Sequence, residues 1–165
     1  MRANAVITKA GIVTIRPLRA GDTATVQAVF HRLGPESRRR RFGNAKSTLT
    51  PAELAELARV DGRRHVLVAY AAREPIGIAR LARDDDEADV AEIAYAVADA
   101  WQRLGVGTAL VRQLSADARA AGIARLHATI GVENRPSLAL IRRATTIVSS
   151  RIVDGELHVV SFAAA

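Results

Sequence analysis

Two periodicities alternate along this chain, one of about two residues and one of three to four. Ile12 to Arg16 alternates apolar and small polar positions as a strand does, and Pro17 closes it. Asp22 stands where a helix cap belongs, ahead of Val26, Val29, Phe30 and Leu33 at helical spacing. Residues 34–48 read as a basic connection, irregular or a short helix. Thr50-Pro51-Ala52-Glu53 is a capping box with proline at the first helical position, and that helix is predicted to run towards Asp61-Gly62. His65 to Ala71 and Pro75 to Ala82 form a predicted hairpin. The acidic stretch Asp84 to Glu87 turns into a further strand, Asp89 to Val97.

After a glycine-bearing turn from Trp101 to Gly107, Leu110, Val111 and Leu114 mark a helix over Thr108 to Ala121 that Gly122 stops. A strand over Arg125 to Gly131, a short helix over Pro136 to Arg143 and a hairpin about Asp154-Gly155 complete the order. The expected class is α/β in the α+β sense. It is a mostly antiparallel mixed sheet of six or seven strands with four helices, built around a central strand-loop-helix unit.

At 165 residues the chain fits one compact domain, expected over 11–165 behind a flexible N-terminal segment, 1–10. Cysteine is absent, which removes disulfides, thiolate metal sites and a cysteine acyl-enzyme. His31, His65, His127 and His158 are too scattered in sequence for a local ligand pair, so no metal is expected. Asn4, Thr8 and Lys9 interrupt what would be the apolar part of a signal peptide, and no apolar run approaches the ~20 residues of a membrane span. A cytoplasmic protein without a membrane partner is therefore expected. Charge is uneven: residues 1–83 hold sixteen basic and six acidic side chains, residues 84–165 eight and eleven. A basic half can steer an anionic partner.

The stretch from Ala91 to Thr108, AEIAYAVADAWQRLGVGT, carries the candidate chemistry. A strand enters a turn with glycines at 105 and 107, and a helix begins directly after. Helix N-termini present unpaired N–H groups and partial positive charge, which suits a pyrophosphate.

Gln102, Gly105 and Gly107 match the Gln/Arg-x-x-Gly-x-Gly/Ala signature of the GNAT superfamily of N-acetyltransferases, which this chain resembles in element order over nearly its whole length. Within that group it is most similar to bacterial protein-lysine acetyltransferases, on Glu36 to Phe42 and Ala91 to Gly107. The resemblance implies acetyl-CoA as cofactor, released as coenzyme A, and a sheet whose strands 4 and 5 (89–97 and 125–131) splay apart. It implies that Gln102, Arg103, Leu104, Gly105, Val106, Gly107 and Thr108 form the cofactor turn, with the amides of Leu104 to Thr108 around the pyrophosphate. It further implies backbone bonds from Ala96 and Val97 to the pantetheine arm, a contact from Asn134 to the same arm, and Glu92 as catalytic base. Without the resemblance, Glu92 reads first as a surface glutamate on a half-exposed strand and only second as an acid–base group.

Two positions depart from the family pattern. Ile141 stands where many members have a tyrosine general acid, and Thr145-Thr146 replaces the usual Gly-Phe. The basic run Ser37 to Phe42 reads as a solvated face, as part of an acceptor cleft or cofactor site, or as a nucleic-acid patch. With three phenylalanines, two tyrosines and one tryptophan there is no stacking platform, so nucleic acid is not an expected partner. Arg103, Arg142 and Arg143 are within sequence reach of cofactor phosphates or simply exposed. His127 reads as a packed or hydrogen-bonded histidine, and Tyr95 as a core residue pointing away from Glu92. The expected reaction is direct acetyl transfer from acetyl-CoA to a primary amine, a protein lysine, by a monomer or homodimer. A small amine acceptor and a catalytically silent acyl-CoA-binding domain are the alternatives.

Overall fold

Alternation along the strands sends one set of side chains to each side of a single sheet, and different helices cover the two sides. In the computed structural model, which describes residues 4–163, the chain runs β1 (Asn4–Thr8), β2 (Gly11–Pro17), α1 (Thr23–His31), α2 (Pro35–Phe42), α3 (Pro51–Leu57), β3 (Arg64–Ala71), β4 (Glu74–Arg83) and β5 (Val90–Val97). A 3-10 turn (Asp99–Trp101) leads to α4 (Val106–Ala120), β6 (Arg125–Gly131), α5 (Arg135–Ala144), β7 (Thr146–Val153) and β8 (Glu156–Phe162). The sheet order is β1-β2-β3-β4-β5-β6-β8-β7, antiparallel throughout except where β5 runs parallel to β6.

On one face Leu67, Leu81 and Ile93 pack with Leu110, Leu114 and Ile141 of α4 and α5. On the other, Val66 and Val68 meet Val26 of α1 and Leu54 and Leu57 of α3. Side chains such as Leu110 and Leu114, fully buried, each contribute on the order of 1.5–3 kcal/mol through the water they leave. α4 sits close against β4: a Cβ on Gly77 would stand 3.0 Å from Leu110 Cδ1, so glycine there sets the approach.

The mixed, mostly antiparallel class is as expected, with eight strands and five α-helices among the described residues rather than six or seven and four. The extra strand is β1. A loose lead-in is expected over residues 1–10, yet Asn4–Thr8 pairs in register with Gly11–Ile15; residues 1–3 lie outside the described part. The extra helix is α2, which Gly34 and Pro35 start and left-handed Gly43 ends. Asp22 caps α1 by accepting from Thr25 N, and Thr50 and Glu53 form the expected capping box. α3 stops at Leu57, short of the expected Asp61, because Asp61 accepts from the amides of Arg63 and Arg64 and turns the chain into β3.

Where the family pattern has Gly-Phe, α5 ends without a left-handed residue. Thr145 is extended, its hydroxyl donates to the Ile141 carbonyl at 2.8 Å, and the chain passes directly into β7. Among the described residues no helix is long and apolar enough to cross a membrane.

Removing the Leu110 side chain leaves a void between α4 and Gly77. Leu110→Ala is expected to lower unfolding free energy by about 2–5 kcal/mol, read as a lower urea midpoint with an unchanged slope.

Candidate active site

The parallel ladder between β5 and β6 is short: Val90 pairs with Arg125, Ala91 with Leu126, Glu92 with His127, and there it stops. β5 continues to Val97 and β6 to Gly131, so the strands diverge into a wedge that opens towards the N-terminus of α4. In the β4–β5 ladder Gly77 faces Val97 and Ala98 N donates to Ile76 O at 2.8 Å. That makes Gly77–Val97 a non-hydrogen-bonded pair, so the backbone groups of Ala96 point at β4, while those of Tyr95 and Val97, past the end of the β5–β6 ladder, point into the wedge. The expectation that Ala96 supplies backbone groups to a bound arm is corrected by one residue: Tyr95 and Val97 face the opening, because polar groups alternate sides along an antiparallel strand.

At the mouth of the wedge, Gly105 caps α4 with φ of 92°, a left-handed conformation that glycine adopts without Cβ strain. None of the amides from Leu104 to Thr108 donates to another group among the described residues. These unpaired donors, gathered at a positive helix end, fit a diphosphate. Gly107 serves differently from the expected open approach: a Cβ there would lie 2.6 Å from Leu140 Cδ1, so glycine lets α5 close on α4.

Gln102 points away from the amide cradle. Its Nε2 donates to Val97 O at 2.9 Å, to Asp99 Oδ1 at 3.2 Å and to Ser37 Oγ at 3.0 Å, fastening the turn to β5 and to α2. Asn134 caps α5, accepting from Ser137 N at 3.3 Å.

A groove of about 690 Å³ opens beside Gly105 and Thr108, and Lys9, Arg103, Arg112 and Arg143 line it; Arg142 does not. Lys9 and Arg112 escaped sequence reasoning because nothing local links them to the turn. The β1–β2 hairpin brings Lys9 there, its amide donating to Leu104 O at 3.0 Å.

Glu92 projects from β5 on the α1–α3 side and is exposed beside His127 in register. His127 Nε2 and His158 Nδ1 are 3.2 Å apart with the rings stacked, so His127 is hydrogen-bonded as expected. Tyr95 projects to the opposite side, where its hydroxyl meets the hydroxyl and carbonyl of Ser137, tying β5 to α5 across the wedge. Burial raises the Tyr95 phenol to about 12, with the Ser137 bond opposing the rise. Ile141, at the position of the family tyrosine, is fully buried.

The basic run of α2 divides. Arg39 and Arg40 pair with Glu36, and Arg38 donates to the carbonyls of Lys46 and Ser47 while lying over the Phe30 ring. Arg41 turns inward to a cavity between α1, α2 and the β4–β5 strands.

A mixed sheet that splits after one short parallel ladder, with a glycine-capped helix at the split, is the arrangement that the resemblance to the GNAT superfamily implies. The family model for the acetyltransferase (GNAT) family matches residues 28–145, and the chain belongs to that family. Acetyltransferase PA5475 of Pseudomonas aeruginosa is 30% identical over 128 residues, which cover 74% of this chain and 68% of that one. The GNAT domain of PAT from S. lividans has a TM-score of 0.88 at 25% identity, covering 97% of this chain and 96% of that domain. The structure of yncA from Salmonella typhimurium, solved with its cofactor acetyl-CoA, has a TM-score of 0.65 at 21% identity and 91% coverage of both chains, a likeness of fold.

Because the folded-state pKa of Tyr95 lies above the ordinary phenol value near 10, its contribution to stability is complete below pH ~10 and is lost as pH rises towards about 12. Alkaline absorbance titration is expected to show a phenol ionising near pH 12 that Tyr95→Phe abolishes.

Proposed function

We propose that this chain transfers an acetyl group from acetyl-CoA to a primary amine, and that the amine is the side chain of a protein lysine. The observation that carries the reading is the row of unpaired amides from Leu104 to Thr108 at the open end of the wedge, with Glu92 on the strand that leads to it. Bound acetyl-CoA would supply an activated acetyl thioester. The amides of Leu104 to Thr108 would hold its diphosphate, and Lys9, Arg103, Arg112 and Arg143 give the adjoining groove a positive charge suited to further phosphates. The inward Val97 N–H donates towards the acyl end of the wedge, where it can polarise a carbonyl. Asn134 and Gln102 act on this reading as braces, holding α5 and the turn in place.

A lysine ammonium, with an ordinary pKa of about 10.4, must lose a proton before it attacks. Glu92, exposed in the cleft, accepts that proton at its carboxylate, directly or through one water. No side chain replaces the family tyrosine at Ile141. A leaving thiolate needs none, since a thiol of pKa about 8.5 departs readily and water reprotonates it. A small amine acceptor remains the second reading, and the resemblance of Glu36 to Phe42 and Ala91 to Gly107 to bacterial protein-lysine acetyltransferases is what favours the lysine. We take the catalytic unit to be one domain that includes β1, acting in the cytoplasm.

Glu92→Gln is expected to lower kcat about 10²- to 10⁴-fold at pH 7, with the acetyl-CoA dissociation constant unchanged by calorimetry. The deficit should shrink as pH approaches the lysine pKa. Wild-type kcat in the variant would remove the base role. Gly105→Val, forced into a left-handed conformation, is expected to weaken acetyl-CoA binding at least about tenfold by the same titration; unchanged affinity would place the diphosphate elsewhere.

A further inference from the structure

On the α1–α3 side of the sheet, next to Glu92, lies a cavity whose chemistry the transfer reaction leaves unused. Its walls are apolar, among them Val29, Phe30, Phe42 and Ile78, with Ala94 and Ala96 at its β5 edge. Into this apolar space project two guanidinium groups, Arg41 from α2 and Arg80 from β4. The Arg41 side chain makes no hydrogen bond or ion pair among the described residues; the Phe42 ring lies beneath it, 5.0 Å from the guanidinium carbon. Arg80 donates through Nη2 to Glu56 at 2.6 Å, but its Nε is buried without a partner. Glu56 is itself shared, with Arg64 and Arg59 at 3.4 and 3.8 Å. Desolvation, then repulsion from Arg80, lowers Arg41 to about 10, with Glu92 opposing the shift, so it stays charged at neutral pH.

A half-buried Arg41 with free donors beside a largely buried Arg80, whose one anionic partner is the shared Glu56, forms an acceptor-poor site. A guanidinium presents five N–H groups in a planar fork, and the group that matches such a fork is a carboxylate. The site also lies at a defined place relative to the proposed base. Arg80 is opposite Ala94 and Glu92 opposite Ala82, so Arg80 and Glu92 are diagonal neighbours on one face, about 7–8 Å apart at their Cα positions. Alanines at 94 and 96 leave the space between them open.

We propose that Arg41 and Arg80 form an anion subsite in the acceptor cleft, so that the preferred acceptor carries a carboxylate several ångströms from its reacting amine. This rests on the transfer reading above and adds a substrate class to it. A lysine with an acidic neighbour in sequence has that spacing, and so does free lysine through its own α-carboxylate. An amine lacking a nearby anion leaves Arg41 without a counter-charge and Arg80 with Glu56 alone.

The test compares two synthetic peptides, identical except that the residues flanking the lysine are Glu in one and Gln in the other. Wild-type protein is expected to favour the Glu peptide at least about tenfold in kcat/KM, mostly through KM. In Arg41→Gln that ratio should fall to near one, and Arg80→Gln should do the same if either variant melts too low for assay. Arg40→Gln, a substitution on the exposed side of α2, should keep it. A wild-type ratio near one, or a preference that survives in Arg41→Gln and Arg80→Gln, overturns the subsite. A parallel comparison of free lysine with lysine amide tells the two sources of the carboxylate apart. If wild type acetylates none of these amines, the transfer reading fails separately. The subsite is then read by calorimetry of the Glu peptide into the protein–coenzyme A complex: binding about tenfold weaker in Arg41→Gln upholds it, and equal or absent binding refutes it.

Discussion

The ladder between the two central strands ends at the Glu92–His127 pair, although both strands continue for another turn of the pleat or more. Strand edges inside a protein normally find partners, because an unmatched amide or carbonyl away from water costs free energy. Here the inward groups of Tyr95 and Val97 face a gap, where Gln102 serves the Val97 carbonyl. The gap is held open from both ends. Tyr95 reaches across it to Ser137 of α5, and α4 begins at its mouth with its own first amides unpaired. An extended ligand with polar atoms along its length and an anionic end would satisfy both sets of groups at once.

The two faces of the sheet divide the work between holding the fold and shaping the cleft. The α4–α5 face is densely apolar and fixes the helix whose N-terminus closes the wedge. The opposite face is thinner, with a smaller apolar cluster and three short helices, and it is here that charge enters the interior. Side chains of Glu92, Ala94 and Ala96 alternate onto that face while Ile93 and Tyr95 go to the other. One strand therefore presents a carboxylate to one side and backbone groups to the gap.

Much of this architecture was legible in the sequence, and the reasons are local. Capping residues at Asp22 and Thr50, the Asp154-Gly155 turn and the apolar spacing of α4 each act within a few residues, so their signals are complete in a short window. β1 was not legible, because Asn4–Thr8 is a strand only by virtue of pairing with β2 and lying near α4. The glycine turn was readable as a site, but the work of its glycines was not. Gly105 bends the backbone, whereas Gly107 makes room for Leu140, a residue more than thirty positions away. Arg41 was hidden inside a run of four arginines that look alike in one dimension. Arg39 and Arg40 pair with Glu36 at the surface, Arg38 lies over Phe30, and only the packing of α2 turns Arg41 towards the cavity.

The Gln102 side chain spans the seam between the two halves of the cleft. One amide nitrogen grips the end of β5, the start of the 3-10 turn and Ser37 on the first turn of α2. The same α2 carries Arg41 into the acceptor-side cavity four residues later. A displacement of the glycine turn by a bound nucleotide, as proposed, would bear on α2 through this side chain and through Asp99, whose amide donates to Arg32 O at 3.2 Å just ahead of α2. On the proposed reading the two halves of the cleft share this joint, so that filling one would alter the affinity of the other, and by the same factor in both directions.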